Sequence, residues 1–261
     1  MTNNPIAKDN RRVISYIIIS LGWSYIFWII AAIISTRNPD WIGIQLLHFL
    51  GGIGPLVATI FNVTKMKDWK GYLRRCIDFS SYSLLDWLIL LSPLLIALVV
   101  SLITKGSISL SQELLSSGLL YAVFLFFFGP LPEELGWRGV LFDLLSRQSI
   151  IKAQVITAVV WFTWHLPLFF IVGSYQNGVG FATSGFLLWA VGLFLQSIIM
   201  GFLYLSTNRS IASAVLFHYF VNLAGEALDL NIPAEIISIG VFVFIAIFFA
   251  GICKEKKTLI T

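Results

Sequence analysis

Charge is scarce in this chain. Of 261 residues, 17 are Lys or Arg and 13 are Asp or Glu, 11% in all, where a soluble domain carries about 25%. That shortage excludes an ordinary soluble fold. Cysteine is scarcer still: Cys76 and Cys253 are the two in the chain, too few for a disulfide framework, and both are read as free thiols near a membrane edge. Only three histidines occur, so each can be weighed singly. No H-E-x-x-H zinc-protease helix is present, nor an internal repeat or low-complexity linker. The net charge of +4 follows membrane topology rather than a basic groove, so no nucleic-acid partner is expected.

Hydrocarbon is what the chain has in excess, at 58% of residues. Eight apolar runs approach the ~20 residues that a membrane-spanning helix needs. They lie near 13–35, 41–64, 84–104, 113–131, 151–172, 185–205, 210–228 and 233–252. The expected fold class is all-α: a polytopic membrane helical bundle of about eight transmembrane helices, forming one integral-membrane domain over 1–261. Met1 to Arg12 is polar and basic, and the run after it is too long for the core of a cleavable signal peptide. Charge placement supports the even count. With eight spans, 15 of the 17 Lys and Arg fall on one side, and Arg37 and Lys105 alone on the other. This asymmetry obeys the positive-inside rule and puts both termini in the cytoplasm. The expected home is a bacterial plasma membrane, with the lipid bilayer as an obligatory partner. The basic, aromatic segment 65–79, with Trp69, Tyr72, Leu73 and Ile77, reads either as a short interfacial helix or as a plain cytoplasmic loop.

Ionisable groups within so apolar a chain are costly, and mark either a function or a partner. The run Leu131-Pro-Glu-Glu-Leu-Gly-Trp-Arg-Gly139 holds the densest set. Gly129, Pro130 and Pro132 break the fourth apolar run, and a fresh helix is expected from about Pro132 to Arg147. Glu133 and Glu134 then occupy its first turn, where free backbone donors favour negative charge. Arg138 stands at i+4 from Glu134 and can pair with it. Glu133 points about 100° away, so one carboxylate is expected to be structural and the other available for chemistry. His165 lies in the fifth run behind Trp161 and Trp164. In the seventh, His218, Asn222 and Glu226 recur at i, i+4 and i+8, a polar stripe that must face protein or water. Glu226 is read as a packing or solvated group. His48, beside the small-residue patch Gly51-Gly-Ile-Gly54, is read chiefly as a packing residue.

The acidic pair with its arginine (Glu133, Glu134, Arg138), an aromatic one turn before a histidine (Trp161, His165) and His-x-x-x-Asn (His218, Asn222) follow one another on separate spans. In this order they resemble the CPBP intramembrane proteases, the abortive-infection and type II CAAX prenyl endopeptidase group, over about residues 40–230. Trp161 departs from the phenylalanine usual in the second motif. The resemblance implies a helical membrane core in which Glu133 and His165 activate a water while His218 and Asn222 hold the oxyanion, with Glu134, Arg138 and Trp161 in support. General chemistry is compatible: peptide hydrolysis needs a base within reach of water and donors aimed at the tetrahedral oxygen.

Two readings of the metal stay open. Glu133, His165 and His218 can in principle supply a two-His, one-carboxylate zinc set, but Asn222 one turn from His218 suits a donor pair better, so metal-free hydrolysis without a cofactor is the favoured expectation. The expected partners are a peptide or a membrane-anchored protein substrate, prenylated or not. Two rival functions use the same residues. A proton-coupled transporter would show paired broken helices in an inverted repeat, of which the sequence has one break. A non-catalytic scaffold or immunity protein would keep the fold without the chemistry.

Overall fold

The computed structural model describes residues 5–63, 69–108, 110–228 and 232–258. Lys65 and Lys67 of the basic segment lie outside the described residues, as do the side chains of Cys253, Lys254, Lys256 and Lys257. The described elements are helical throughout: α1 (Pro5–Ser35), α2 (Gly43–Gly52), α3 (Gly54–Val63), α4 (Trp69–Arg75), α5 (Leu84–Lys105), α6 (Gln112–Phe128) and α7 (Pro130–Gly136). A π-helical turn (Trp137–Phe142) leads to α8 (Asp143–Ser146), then α9 (Ile150–His165), a 3₁₀ turn (Leu166–Phe170), α10 (Tyr175–Val179), α11 (Ser184–Ser206), α12 (Ile211–Ala227) and α13 (Ile232–Thr258).

Six stretches among the described residues are long and apolar enough to cross a membrane: Ile6–Ser35, Gly43–Val63, Leu84–Lys105, Ile150–Phe170, Ser184–Ser206 and Ile232–Gly251. The protein is an all-α polytopic membrane protein, as its composition requires. The expected fourth and seventh spans are helical but shorter, 17 residues each in α6 and α12. Gly129 and Pro130 stop the first, and α12 ends at Ala227. The expected second span divides at Ile53 into α2 and α3.

Contacts divide the chain into two units, residues 1–73 with 132–194 and residues 74–131 with 195–261. In the first, α1 packs on α2 and α3, and its pattern is inverted relative to a soluble helix. Tyr16, Ser20, Ser24, Trp28, Ala31 and Ser35 are buried, while Ile14, Ile18, Ile26 and Ile33 are exposed. In lipid, isoleucine gains nothing by turning inward, and small and hydrogen-bonding residues make the helix contacts. Pro55 has no N–H for the Gly51 carbonyl four residues back, and Ser24 Oγ donates to that oxygen instead at 2.7 Å. Trp23 and Trp28 donate to the Leu50 and His48 carbonyls at 2.7 and 2.8 Å. His48 therefore serves this junction through its backbone, with its ring edge-on to Trp28. A Cβ on Gly51 would stand 2.2 Å from Trp28 Nε1, and one on Gly54 2.1 Å from Ser24 Oγ. The small residues of this patch are what let α1 approach.

In the second unit α5 packs on α12 and α13, and α6 packs on α12. Ser83 and Asp86 form a capping box at the start of α5. Buried Asp86 also accepts from Ser206 Oγ at 2.6 Å. Ser81 donates to the Thr207 carbonyl and Ser210 to the Asp78 carbonyl, at 2.7 and 2.6 Å. The loop before α5 is thereby pinned to the turn before α12. An apolar cavity of about 480 Å³ lies among Leu94, Leu98, Gly118, Ala122 and Leu223, where α6 kinks at Gly118 (φ +49°).

The basic segment does contain a helix, α4. Trp69 and Leu73 are half exposed, with Lys70 Nζ over the Trp69 ring at 5.9 Å. Tyr72 departs from the interfacial reading: it is 4% exposed and its hydroxyl donates to the Leu135 carbonyl at 2.6 Å. Cys76 is a half-buried thiol, which burial pushes up to about 11.

Candidate active site

The acid pair is set by the proline-rich break. α6 ends at Phe128, and Pro130 opens α7 two residues earlier than expected, its missing N–H being one that a first turn leaves without an intrahelical partner anyway. Glu133 falls in that first turn. The expected helix to Arg147 is not uniform: Trp137–Phe142 widens into a π turn, every residue of it buried. Such turns are rare and recur at functional sites. Gly136 sits at the junction, where a Cβ would come 2.0 Å from the Tyr16 hydroxyl and 2.8 Å from the Pro55 carbonyl. Only glycine lets this end of α7 lie against α1 and α3.

Glu134 and Arg138 pair as their spacing implies. Nη1 of Arg138 donates to both carboxylate oxygens, at 3.0 and 2.8 Å, and both side chains have no exposure at all. Glu133 is 7% exposed. It has a partner that the sequence reading did not supply: the indole N–H of Trp161, on α9, donates to its Oε2 at 2.7 Å. The Arg138 guanidinium stands over the same indole, 5.3 Å from the ring centre. Glu134 is thus held by a charge on its own helix, and Glu133 by a neutral donor from α9.

His165 is one turn along α9 from Trp161, and its Nδ1 lies 2.8 Å from the Trp161 carbonyl. A carbonyl can only accept, so Nδ1 carries a hydrogen, and in the neutral form of the ring Nε2 would be the acceptor nitrogen. The rings of Trp161, Trp164 and Trp189 stand edge-on around it at 5.5, 4.8 and 5.5 Å. Within the first unit, then, the fold brings together Glu133, Glu134, Arg138, Trp161 and His165, with Trp161 touching three of the other four.

His218 and Asn222 belong to the second unit, on one face of α12. His218 is 5% exposed and Asn222 half-buried. Gly129, at the end of α6, abuts the asparagine: a Cβ there would stand 3.5 Å from Nδ2 and 3.2 Å from the Leu125 carbonyl. Glu226 accepts from the Tyr121 hydroxyl at 2.8 Å, a packing role. Among the described residues, no group of three or more His, Cys, Asp or Glu side chains is placed to hold a metal ion.

Trp161 makes the contact that sequence reading missed. The signal was present: an indole N–H buried in an apolar span must find an acceptor, and a nearby carboxylate is a strong one.

These features define an all-helical integral membrane protein with a buried, partnered carboxylate pair and a tryptophan-walled histidine. Residues 115–224, which contain all seven motif positions, match the family model of type II CAAX prenyl endopeptidase Rce1-like proteins. Over 251 residues the chain is 31% identical to the CAAX prenyl protease 2 of Methanococcus maripaludis, covering 90% of each chain. The chain belongs to this CAAX prenyl protease family.

Proposed function

We propose that the protein is an intramembrane endopeptidase that hydrolyses peptide bonds in membrane-associated, CAAX-like substrates near the cytoplasmic leaflet. It acts through a metal-free glutamate mechanism, in a plasma membrane with both termini cytoplasmic. The observation that carries this reading is the buried Glu133 carboxylate, joined through one tryptophan to an imidazole whose Nδ1 faces that tryptophan's carbonyl. Membership of the CAAX prenyl protease family supports the choice of substrate class.

In the proposed reaction, Glu133 takes a proton from water as its oxygen attacks the scissile carbonyl carbon, and His165 Nε2 accepts the water's other hydrogen and orients it. The carbonyl oxygen becomes an oxyanion, received by the His218 ring N–H and the Asn222 amide. Collapse breaks the C–N bond, and the proton held by Glu133 passes to the departing amine.

A quenched fluorescent peptide ending in a farnesylated CAAX tail, offered to the protein in proteoliposomes, tests this. Glu133→Gln is expected to lower kcat by about 10²–10⁴, and Asn222→Ala by about 10²–10³, both with the thermal transition retained. Cleavage by Glu133→Gln at the wild-type rate would remove the catalytic assignment. Proton-coupled flux without hydrolysis would point to transport instead.

A further inference from the structure

Trp161 touches Glu133, His165 and Arg138, and through chemically different atoms. Its indole N–H donates to Glu133 Oε2 at 2.7 Å. Its backbone carbonyl lies 2.8 Å from His165 Nδ1. Its ring face carries the Arg138 guanidinium at 5.3 Å, and that guanidinium is tied to Glu134 by two short bonds. The indole itself is 2% exposed. A side chain held from two sides and buried has one orientation available, so its N–H is aimed before any substrate arrives.

We infer that Trp161 is the positioning residue of this site. By its side chain it holds the general-base carboxylate in one rotamer, and by its carbonyl it selects the tautomer of His165. The inference rests on the proposed roles of Glu133 and His165 and adds the residue through which they act together. Two consequences separate this from plain packing. A phenylalanine, the aromatic of similar shape that this position takes elsewhere in the motif, would keep the carbonyl and the ring face but lose the indole N–H that donates to Glu133 Oε2. The effect is therefore specific to the carboxylate and belongs to the indole N–H rather than to the ring. Glu133 and His165 also report differently: the first depends on the side chain at 161 and the second on its backbone, so side-chain changes leave the His165 tautomer in place. A base displaced by a fraction of an ångström slows the chemical step more than it weakens substrate binding.

The test uses two readouts. The first needs no turnover. The indole ¹H–¹⁵N cross-peak of Trp161, assigned by its absence in Trp161→Phe, is expected downfield among the nine tryptophans and to move upfield in Glu133→Ala. An unmoved cross-peak would overturn the bond itself. The second compares Trp161→Phe and Trp161→benzothienylalanine, which replaces the N–H by sulfur at constant shape, with Trp161→5-fluorotryptophan, which keeps the donor. On the farnesylated peptide, the first two are expected to lose about tenfold or more in kcat with KM within about twofold, and the fluorinated residue to restore wild-type kcat. Should Trp161→Phe fail to fold, the isosteric analogue carries the comparison. Full kcat with benzothienylalanine, while Glu133→Gln is inactive, would overturn the positioning role and leave the catalytic reading standing. Full activity of Glu133→Gln would overturn the catalytic reading, leaving the cross-peak to decide whether the bond exists.

Discussion

Removing Arg138 while keeping Glu134 should be the most destabilising single change to a charge in this protein. Both side chains are fully buried, and the carboxylate accepts two bonds from one guanidinium nitrogen, at 2.8 and 3.0 Å. Arg138→Met leaves the Glu134 carboxylate without its cation in a site closed to water. Uncompensated buried charges of this kind cost about 3–5 kcal/mol. At about 2–4 °C per kcal/mol for a chain of this size, Tm should fall by on the order of 10 °C. The double variant Glu134→Gln/Arg138→Met removes both charges at similar volume. It should recover most of that loss, because the large term is the orphaned charge rather than the pair's net attraction. Activity should not recover with it, since the guanidinium also rests on the Trp161 indole. The assay is intrinsic tryptophan fluorescence on heating in detergent, with peptide cleavage measured on the same samples. A single variant as stable as the double would refute the reasoning and mean that the carboxylate is satisfied by other groups.

Gly136→Ala should push α7 off α1 and α3, because its Cβ would stand 2.8 Å from the Pro55 carbonyl and 2.0 Å from the Tyr16 hydroxyl. A loss of about 1–3 kcal/mol should appear as lowered Tm and reduced cleavage, with Gly22→Ala, which meets nothing within 4 Å, as the silent control. Cys76 should resist alkylation: with the thiol pushed up to about 11 by burial, the thiolate fraction at pH 8 falls about two orders of magnitude below that of an ordinary cysteine. Iodoacetamide labelling, scored on the Cys76 peptide by mass spectrometry, should stay slow until the pH approaches that value and become fast on unfolding. Rapid labelling of the folded protein at pH 8 would contradict the burial.

Composition and spacing determined the membrane class, the helical content and the positions worth weighing. An apolar run declares its span because lipid offers no partner to a backbone outside a helix, and the Glu134–Arg138 pair was legible because four residues make one turn. The proline break before Glu133 was legible for the same local reason. The division of the second span at Ile53 was not: there the Leu50 and Gly51 carbonyls are taken by Trp23 and Ser24 of another helix. The partner of Glu133 depends on how α9 rotates against the π turn, and no spacing along one helix records that. Tyr72 likewise reads as an interfacial aromatic by sequence, and is drawn inward by the Leu135 carbonyl. Local periodicity is written in the chain because it repeats within a few residues. Contacts between residues 28 or 63 positions apart, as for Trp161 with Glu133 and Tyr72 with Leu135, exist only once the helices have packed.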